Sequence, residues 1–348
     1  MQPLSSLLLR VRDRAPIVGV TWELARMAAS CPEYLATGRT PERAYMSLRR
    51  LFSLTDGRFN DAVSSVLRVV RPAYELDSTT GVLGRMEGHA LESVVRDLDR
   101  DGFHIFEARL PPEDCRQVRD FAQRVPCYPR RGDAEGPPVT FAPGNTSEPV
   151  FDFRPSELLT EEPLQRLVVD RSILAVAQAY LRCRVVLDLI TMWWSTPGSG
   201  RATSEAAQLF HFDMDRIKFL KFFVLLTDVT PETGPHVYVR GSHRRKPPAL
   251  RADGRRSDDE IGAAYGDRVV EIGGPAGTIF AADTRGFHKG LSLLSGTRLL
   301  FQLEFANSLF GRNYPRVSVP EGQAPVMRET MARFPFTFSN FDLPAGSG

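Results

Sequence analysis

The stretch from residue 185 to residue 306 constrains the fold most. It is a series of short β-type runs at 185–195, 217–229, 236–240, 269–272, 278–282 and 297–306. Turn residues punctuate the gaps, as at Pro197-Gly198, Thr233-Gly234-Pro235, Gly273-Gly274-Pro275 and Ser295-Gly296. Strands that follow one another without intervening helices cannot build a parallel sheet, because parallel pairing needs long crossovers. The pattern therefore predicts an antiparallel sandwich or jelly roll. The one long gap, 247–265, reads as a polar insertion.

Upstream the texture differs. Residues 1–98 read as a helical region packing on the core, with amphipathic segments at 41–53, 59–70 and 87–99 and no ligand-type cluster. A short strand at 103–106 follows, then helices over 112–125, 161–169 and 172–182. The Pro-, Gly- and charge-rich segment 128–149 is long for a connector, which leaves a lid over a site or a plain surface loop. Residues 99–315 make up the β core with its flanking helices, and 316–348 form a C-terminal tail. A chain of 348 residues is long enough for this, and 42% hydrophobic against 25% charged residues exclude a disordered or fibrous class.

Charge and cysteine usage narrow the partners. Forty-four Lys and Arg against 42 Asp and Glu leave +2, too little to gather nucleic acid or anionic lipid over a distance. Cys31, Cys115, Cys127 and Cys183 have neither disulfide-framework nor zinc-type spacing, which fits a reducing cytoplasm. The start lacks a secretory pattern, and the most apolar stretch, 217–229, carries Lys218, Lys221 and Asp228 and is too short to span a bilayer. The expected partner is a small molecule, with no nucleic acid and no membrane.

Chemistry concentrates in the β half. In extended chain, His211 and Asp213 point to one side and could share a metal ion. One such pair means little, since six histidines yield roughly 0.36 His-x-Asp pairs by chance. His288, just past the run 278–282, supplies a candidate third donor. Two imidazoles and a carboxylate on one octahedral face leave positions open, the pattern that favours non-haem Fe(II). Arg298 follows ten residues later. Its planar fork suits a carboxylate clamp that lysine could not reproduce.

In order along the chain, His211-x-Asp213, Thr227-Asp228-Val229-Thr230-Pro231-Glu232-Thr233-Gly234-Pro235, Arg240-Gly241-Ser242-His243, Pro275-Ala276-Gly277-Thr278, His288 and Arg298 resemble the phytanoyl-CoA dioxygenase-like Fe(II)/2-oxoglutarate oxygenases. The resemblance covers about residues 98–310, including the Asp101-Gly102-Phe103 strand opening. It implies a double-stranded β-helix of cupin type, with His211, Asp213 and His288 as catalytic iron ligands and Arg298 on the distal carboxylate of the cosubstrate 2-oxoglutarate, with O2 as oxidant. The implied reaction is hydroxylation of an unactivated C–H in a small or medium organic molecule, such as a specialised metabolite, with release of succinate and CO2. Desaturation, epoxidation or cyclisation would use the same oxidant, and a non-catalytic barrel is the rival from another class. Phe212 stands where many members carry Gln or Glu, and Ser195-Thr196-Pro197-Gly198 stands where many carry Lys-Pro-Pro-Gly. Related halogenases replace the carboxylate by a small residue, so Asp213 favours hydroxylation.

Further residues carry expectations. Arg298, Leu300, Gln302 and Glu304 share one face of their run, which should line the barrel if Arg298 is to act there. Thr191 and Trp193 share a face with Ser195 and are candidate cosubstrate contacts, as is Thr227, on one face with Phe219 and Lys221. Lys221 would either reach the site or lay its stem on apolar surface with its head in solvent. His236 is a candidate substrate-facing group, His243 a turn stabiliser, and His89 and His104 structural. The basic run Arg240, Arg244, Arg245 and Lys246 reads as an exposed charged loop or, alternatively, as a phosphate patch.

Overall fold

The computed structural model describes residues 16–131, 134–142, 144, 148–197 and 207–343. Helices come first among the described residues: α1 (Pro16–Ala28), α2 (Cys31–Thr37), α3 (Glu42–Thr55), α4 (Arg58–Val70) and α5 (Gly88–Asp101). Gly102 ends α5 at φ 90°, and a Cβ there would collide with the Tyr238 hydroxyl, so the turn into β1 (Phe103–Arg109) requires glycine. Then come α6 (Pro112–Arg124), β2 (Pro126–Arg131), β3 (Val150–Asp152), α7 (Pro155–Leu158), α8 (Glu162–Val168) and α9 (Arg171–Leu181). The core strands are β4 (Val186–Ser195), β5 (Phe219–Leu225), β6 (His236–Val239), β7 (Val269–Ile272), β8 (Thr278–Ala282), β9 (His288–Gly290) and β10 (Arg298–Ala306).

These strands form two sheets. The larger runs β1-β8-β5-β10-β4-β3-β2, antiparallel throughout, with the two-residue strands 134–135 and 139–140 added on β2. The smaller is β7-β6-β9. Phe223, Leu225, Phe280 and Leu300 of the large sheet pack with Tyr238 and Ile272 of the small one, so the two sheets enclose a shared interior. This is the double-stranded β-helix expected from the sequence.

Alternation along β10 sets the two faces of the large sheet. Leu299, Phe301, Leu303 and Phe305 join the main core beneath α6, α8 and α9, packing with residues such as Val118, Leu164 and Ile173. The other face, with Arg298, Leu300, Gln302 and Glu304, points into the barrel, and all nine residues of β10 are buried. The α1 to α4 region packs through a separate apolar group in which Ala44 and Leu48 meet Ile217 and Phe310. The polar insertion carries α10 (Asp258–Tyr265), and the C-terminal segment adds α11 (Pro325–Arg333).

Two expectations need correction. Segment 128–149 is not plain loop throughout: residues 128–131 belong to β2, which pairs with β3, and the short strands 134–135 and 139–140 pair on β2, so these residues extend the large sheet. Residues 132–133, 143 and 145–147 lie outside the described residues. The run 217–229 is strand only over Phe219–Leu225: Leu226 N–H still reaches Leu299 O, but Leu299 N–H goes to the Thr227 hydroxyl rather than to main chain, and Val229 bridges to Gly274.

Candidate metal centre

Backbone pairing assembles the site. His211 N–H donates to His288 O at 3.0 Å and His288 N–H returns the bond at 2.8 Å, an isolated antiparallel bridge between the segment before β5 and the first residue of β9. His211 therefore lies in a bridge rather than in a continuous strand, and the imidazole centroids stand 4.3 Å apart. Asp213 N–H donates to Thr284 O at 2.8 Å, which holds the carboxylate beside them.

The imidazoles are oriented from behind. His211 Nδ1 donates to Leu209 O at 2.9 Å, and His288 Nδ1 to Gly286 O at 3.0 Å. A carbonyl only accepts, so each Nδ1 carries the proton and each Nε2 is left as a lone-pair donor. His211 Nε2 is 3.7 Å from Asp213 Oδ1, and His288 Nε2 is 3.5 Å from Asp213 Oδ2. One donor atom from each of the three residues lies within 4.8 Å of the others. Burial, then the neighbouring imidazole, pushes His211 down to about 3, and burial lowers His288. Both rings are neutral at physiological pH, the form that binds metal.

Asp213 has a partner in Lys221, for which the sequence left two placements open. Burial alone would raise its carboxyl, but the Lys221 ammonium beside it holds it well below the usual carboxylate range. Lys221 Nζ donates to Asp213 Oδ2 at 2.8 Å and to Asp215 Oδ2 at 3.1 Å, and lies 3.2 Å from Glu304 Oε2. Its head is thus buried behind the site, not in solvent. Asp188 and Arg216 pair nearby, and burial raises Glu304 well above its ordinary value. No motif pointed to this cluster, because its members come from β4, β5, β10 and the loop before β5. Inward alternation of Lys221 and Glu304, directly paired across β5 and β10, was the available signal.

Arg298 is 6% exposed and sits on the same inner face. Its Nη2 donates to Ser195 Oγ at 3.2 Å, Nε has no partner, and among the described residues no carboxylate pairs with it. A Cβ on Gly290, two positions past His288, would lie 3.5 Å from Nη2, so the guanidinium packs against β9. Burial lowers Arg298 to about 10, leaving it a cation without an anion. Thr191 and Trp193 face Gln302 and Leu300 across the β4–β10 pair and share the inner face. His236 is stacked on His288 at 5.5 Å, with Nε2 unpartnered.

Thr227 is not brought to this site. The strand has ended at Leu225, so alternation no longer governs it. Its hydroxyl accepts Leu299 N–H at 3.1 Å, and it lines a different cavity with Cys115 and Arg119. His104 is held by Asp97 at 2.8 Å, and His243 is buried in the turn after β6.

A double-stranded β-helix carrying two neutral imidazoles and a carboxylate within reach of one ion defines a metal-dependent enzyme of the cupin-like oxygenase type. The phytanoyl-CoA dioxygenase (PhyH) family matches over residues 98–298, and the chain belongs to that family of Fe(II)/2-oxoglutarate-dependent oxygenases. No curated protein matches the sequence. Among solved structures, the chain is similar to SnoN, a non-heme alpha ketoglutarate dependent epimerase from nogalamycin biosynthesis, with 18% identity, TM-score 0.48, and coverage of 62% of this chain and 82% of that one. HygX from Streptomyces hygroscopicus, with nickel and 2-oxoglutarate bound, is 16% identical at TM-score 0.46, covering 67% and 92%. EctD from S. alaskensis with bound Fe is 16% identical at TM-score 0.46, covering 71% and 85%. No helix among the described residues is long and apolar enough to cross a membrane.

Proposed function

We propose that the protein hydroxylates an unactivated C–H of a small or medium organic molecule, with His211, Asp213 and His288 holding Fe(II) and Arg298 gripping the distal carboxylate of 2-oxoglutarate. The observation that carries this reading is the convergence, on one interior, of a three-donor set and a buried guanidinium that has no anion among the described residues. The donor set fits the metal: neutral Nε2 atoms and an ionised carboxylate suit Fe(II), and the absence of thiolate disfavours a structural zinc role. Arg298 fits the cosubstrate, since a carboxylate would satisfy both its charge and its orphaned Nε.

When bound, iron with 2-oxoglutarate and O2 supplies an oxidant able to take hydrogen from carbon, releasing succinate and CO2. The chain contributes placement. The Leu209 and Gly286 carbonyls hold the imidazole planes, and Lys221 holds Asp213. Arg298 and Ser195 bind the far end of the cosubstrate, with Thr191 and Trp193 as further contacts on that face. Phe223, stacked on Phe280 at 4.7 Å, and Leu300 exclude water from the interior.

The test is anaerobic addition of Fe(II) and 2-oxoglutarate, expected to give a visible charge-transfer band, followed by O2, expected to give succinate even without prime substrate. With the correct substrate, the product should be one oxygen atom heavier. No band and no succinate would favour a non-catalytic barrel, and a product lacking the added oxygen would favour desaturation or cyclisation.

A further inference from the structure

A second cavity lies where the N-terminal helices meet the β core. Its volume is about 390 Å³, it shares no lining residue with the His-Asp-His site, and its walls come from α4, α5, α9, the residue before β5 and the turn after β6. Six cations line it against two carboxylates, Asp61 and Asp99. Two of the six are already matched. Arg182 lies 3.4 Å from Asp99, and Arg285 is held at 2.7 Å by the buried Asp283, with Asp61 at 3.5 Å.

The other four are not. Among the described residues, no carboxylate lies within ion-pair distance of Lys218, Arg68 or Arg244, and Arg245 has only Asp56, at 4.0 Å. Lys218 is the telling member. It is half-buried, and its ammonium has a ring rather than an anion for company, lying 4.3 Å over the face of Tyr180, whose hydroxyl is committed to Asp283. Burial, and then the Arg285 charge, lowers Lys218. Positive groups drawn together around a concave space with fewer carboxylates than cations repel one another, and an arriving anion would relieve that repulsion.

We propose that this cavity binds the phosphate or diphosphate group of a phosphorylated small molecule, with Lys218 at its base and Arg68, Arg244 and Arg245 around its rim. Three or four unmatched cations exceed what a single carboxylate would neutralise and suit a polyanion, and guanidinium forks match phosphate oxygens in pairs. The concave shape and the +2 net charge of the whole chain point to a small ligand rather than a nucleic-acid strand. Such a ligand would bridge α4 to the β core, giving the helical region a binding role beyond packing. It also gives Arg244 and Arg245 the phosphate role that the sequence left as the alternative to an idle charged loop.

The test is calorimetric titration of the full chain with inorganic pyrophosphate, with glycerol phosphate as the monoester arm and sulfate as the adventitious-anion arm. Pyrophosphate should bind more tightly than sulfate, and the pyrophosphate-to-monoester ratio reports whether one or two phosphates are held. Arg244→Glu, at an exposed position, and Lys218→Met should each weaken pyrophosphate binding by about tenfold or more. Arg328→Glu, on the exposed side of α11, should leave it unchanged. No binding, sulfate binding equal to pyrophosphate, an unchanged Arg244→Glu variant, or an equal loss in Arg328→Glu would each overturn the proposal. Because the cavity is separate from the triad, failure here leaves the oxygenase reading standing, and the reverse also holds.

Discussion

Replacing Lys221 with Met removes the only cation that touches Asp213 among the described residues and leaves Asp213 and Asp215 buried with one partner fewer each. Breaking a buried ion pair by deleting one partner costs about 3–5 kcal/mol. Unfolding entropy of roughly 2.1 cal/mol/K per residue gives about 0.7 kcal/mol/K for a chain of this length, so Tm should fall by about 4–7 °C in metal-free protein. The loss has a pH signature. In the native chain Asp213 is held below its unfolded value of about 3.9, so its contribution is present above that pH and fades as acid protonates it. In the variant, burial dominates and the carboxyl rises, so its protonated form is favoured and the deficit should narrow as pH falls from neutrality. A divalent cation at the triad replaces part of the lost charge, so Co(II) should raise Tm more in the variant than in the native protein. Thermal scans across pH, with and without Co(II), make the measurement. A metal-free Tm within about 1 °C of native, or a deficit that does not change with pH, would refute the reasoning about this cluster.

Other outcomes follow from the same geometry. Asp213→Ala should abolish succinate release while leaving far-UV circular dichroism unchanged. Arg298→Ala should weaken 2-oxoglutarate binding to the Ni(II)-substituted protein by about 10–100-fold, from the loss of two charge-assisted hydrogen bonds, and calorimetry reads this without turnover. Chelation of metal should silence the enzyme, and Fe(II) should restore it while Zn(II) should not. Asp283→Asn should destabilise by about 3–5 kcal/mol at neutral pH, since Arg285 and Tyr180 lose a buried anion. Asp283 is held well below the ordinary carboxylate range against the pull of burial, so the native protein should lose stability as pH falls below about 4 more steeply than this variant does.

Local pattern made much of the β half legible. Strands 269–272 and 278–282 have the bounds their turn residues imply, and the inward face of β10 follows from strict alternation. His211, Asp213, His288 and Arg298 are brought to one interior, as their order along the chain suggested. Thr227 failed because alternation was carried past the end of the strand, to the point where its own hydroxyl takes the Leu299 N–H in place of a main-chain acceptor. Lys221 was half legible: its inward direction was readable, but its three carboxylate partners converge only through β5–β10 register and the loop before β5. The cationic cavity was scattered over helix, turn and loop, so its residues gave no spacing to notice beyond the Arg244-Arg245 run.

The reciprocal main-chain bonds between His211 and His288 place both rings before any ion arrives. Assembly of the donor set is thus inherited from strand pairing, and the identity of each donor is a separate choice laid over it. A lineage could exchange one side chain for another at these positions, altering which ion or reaction is favoured, while the supporting lattice of peptide groups stays in register.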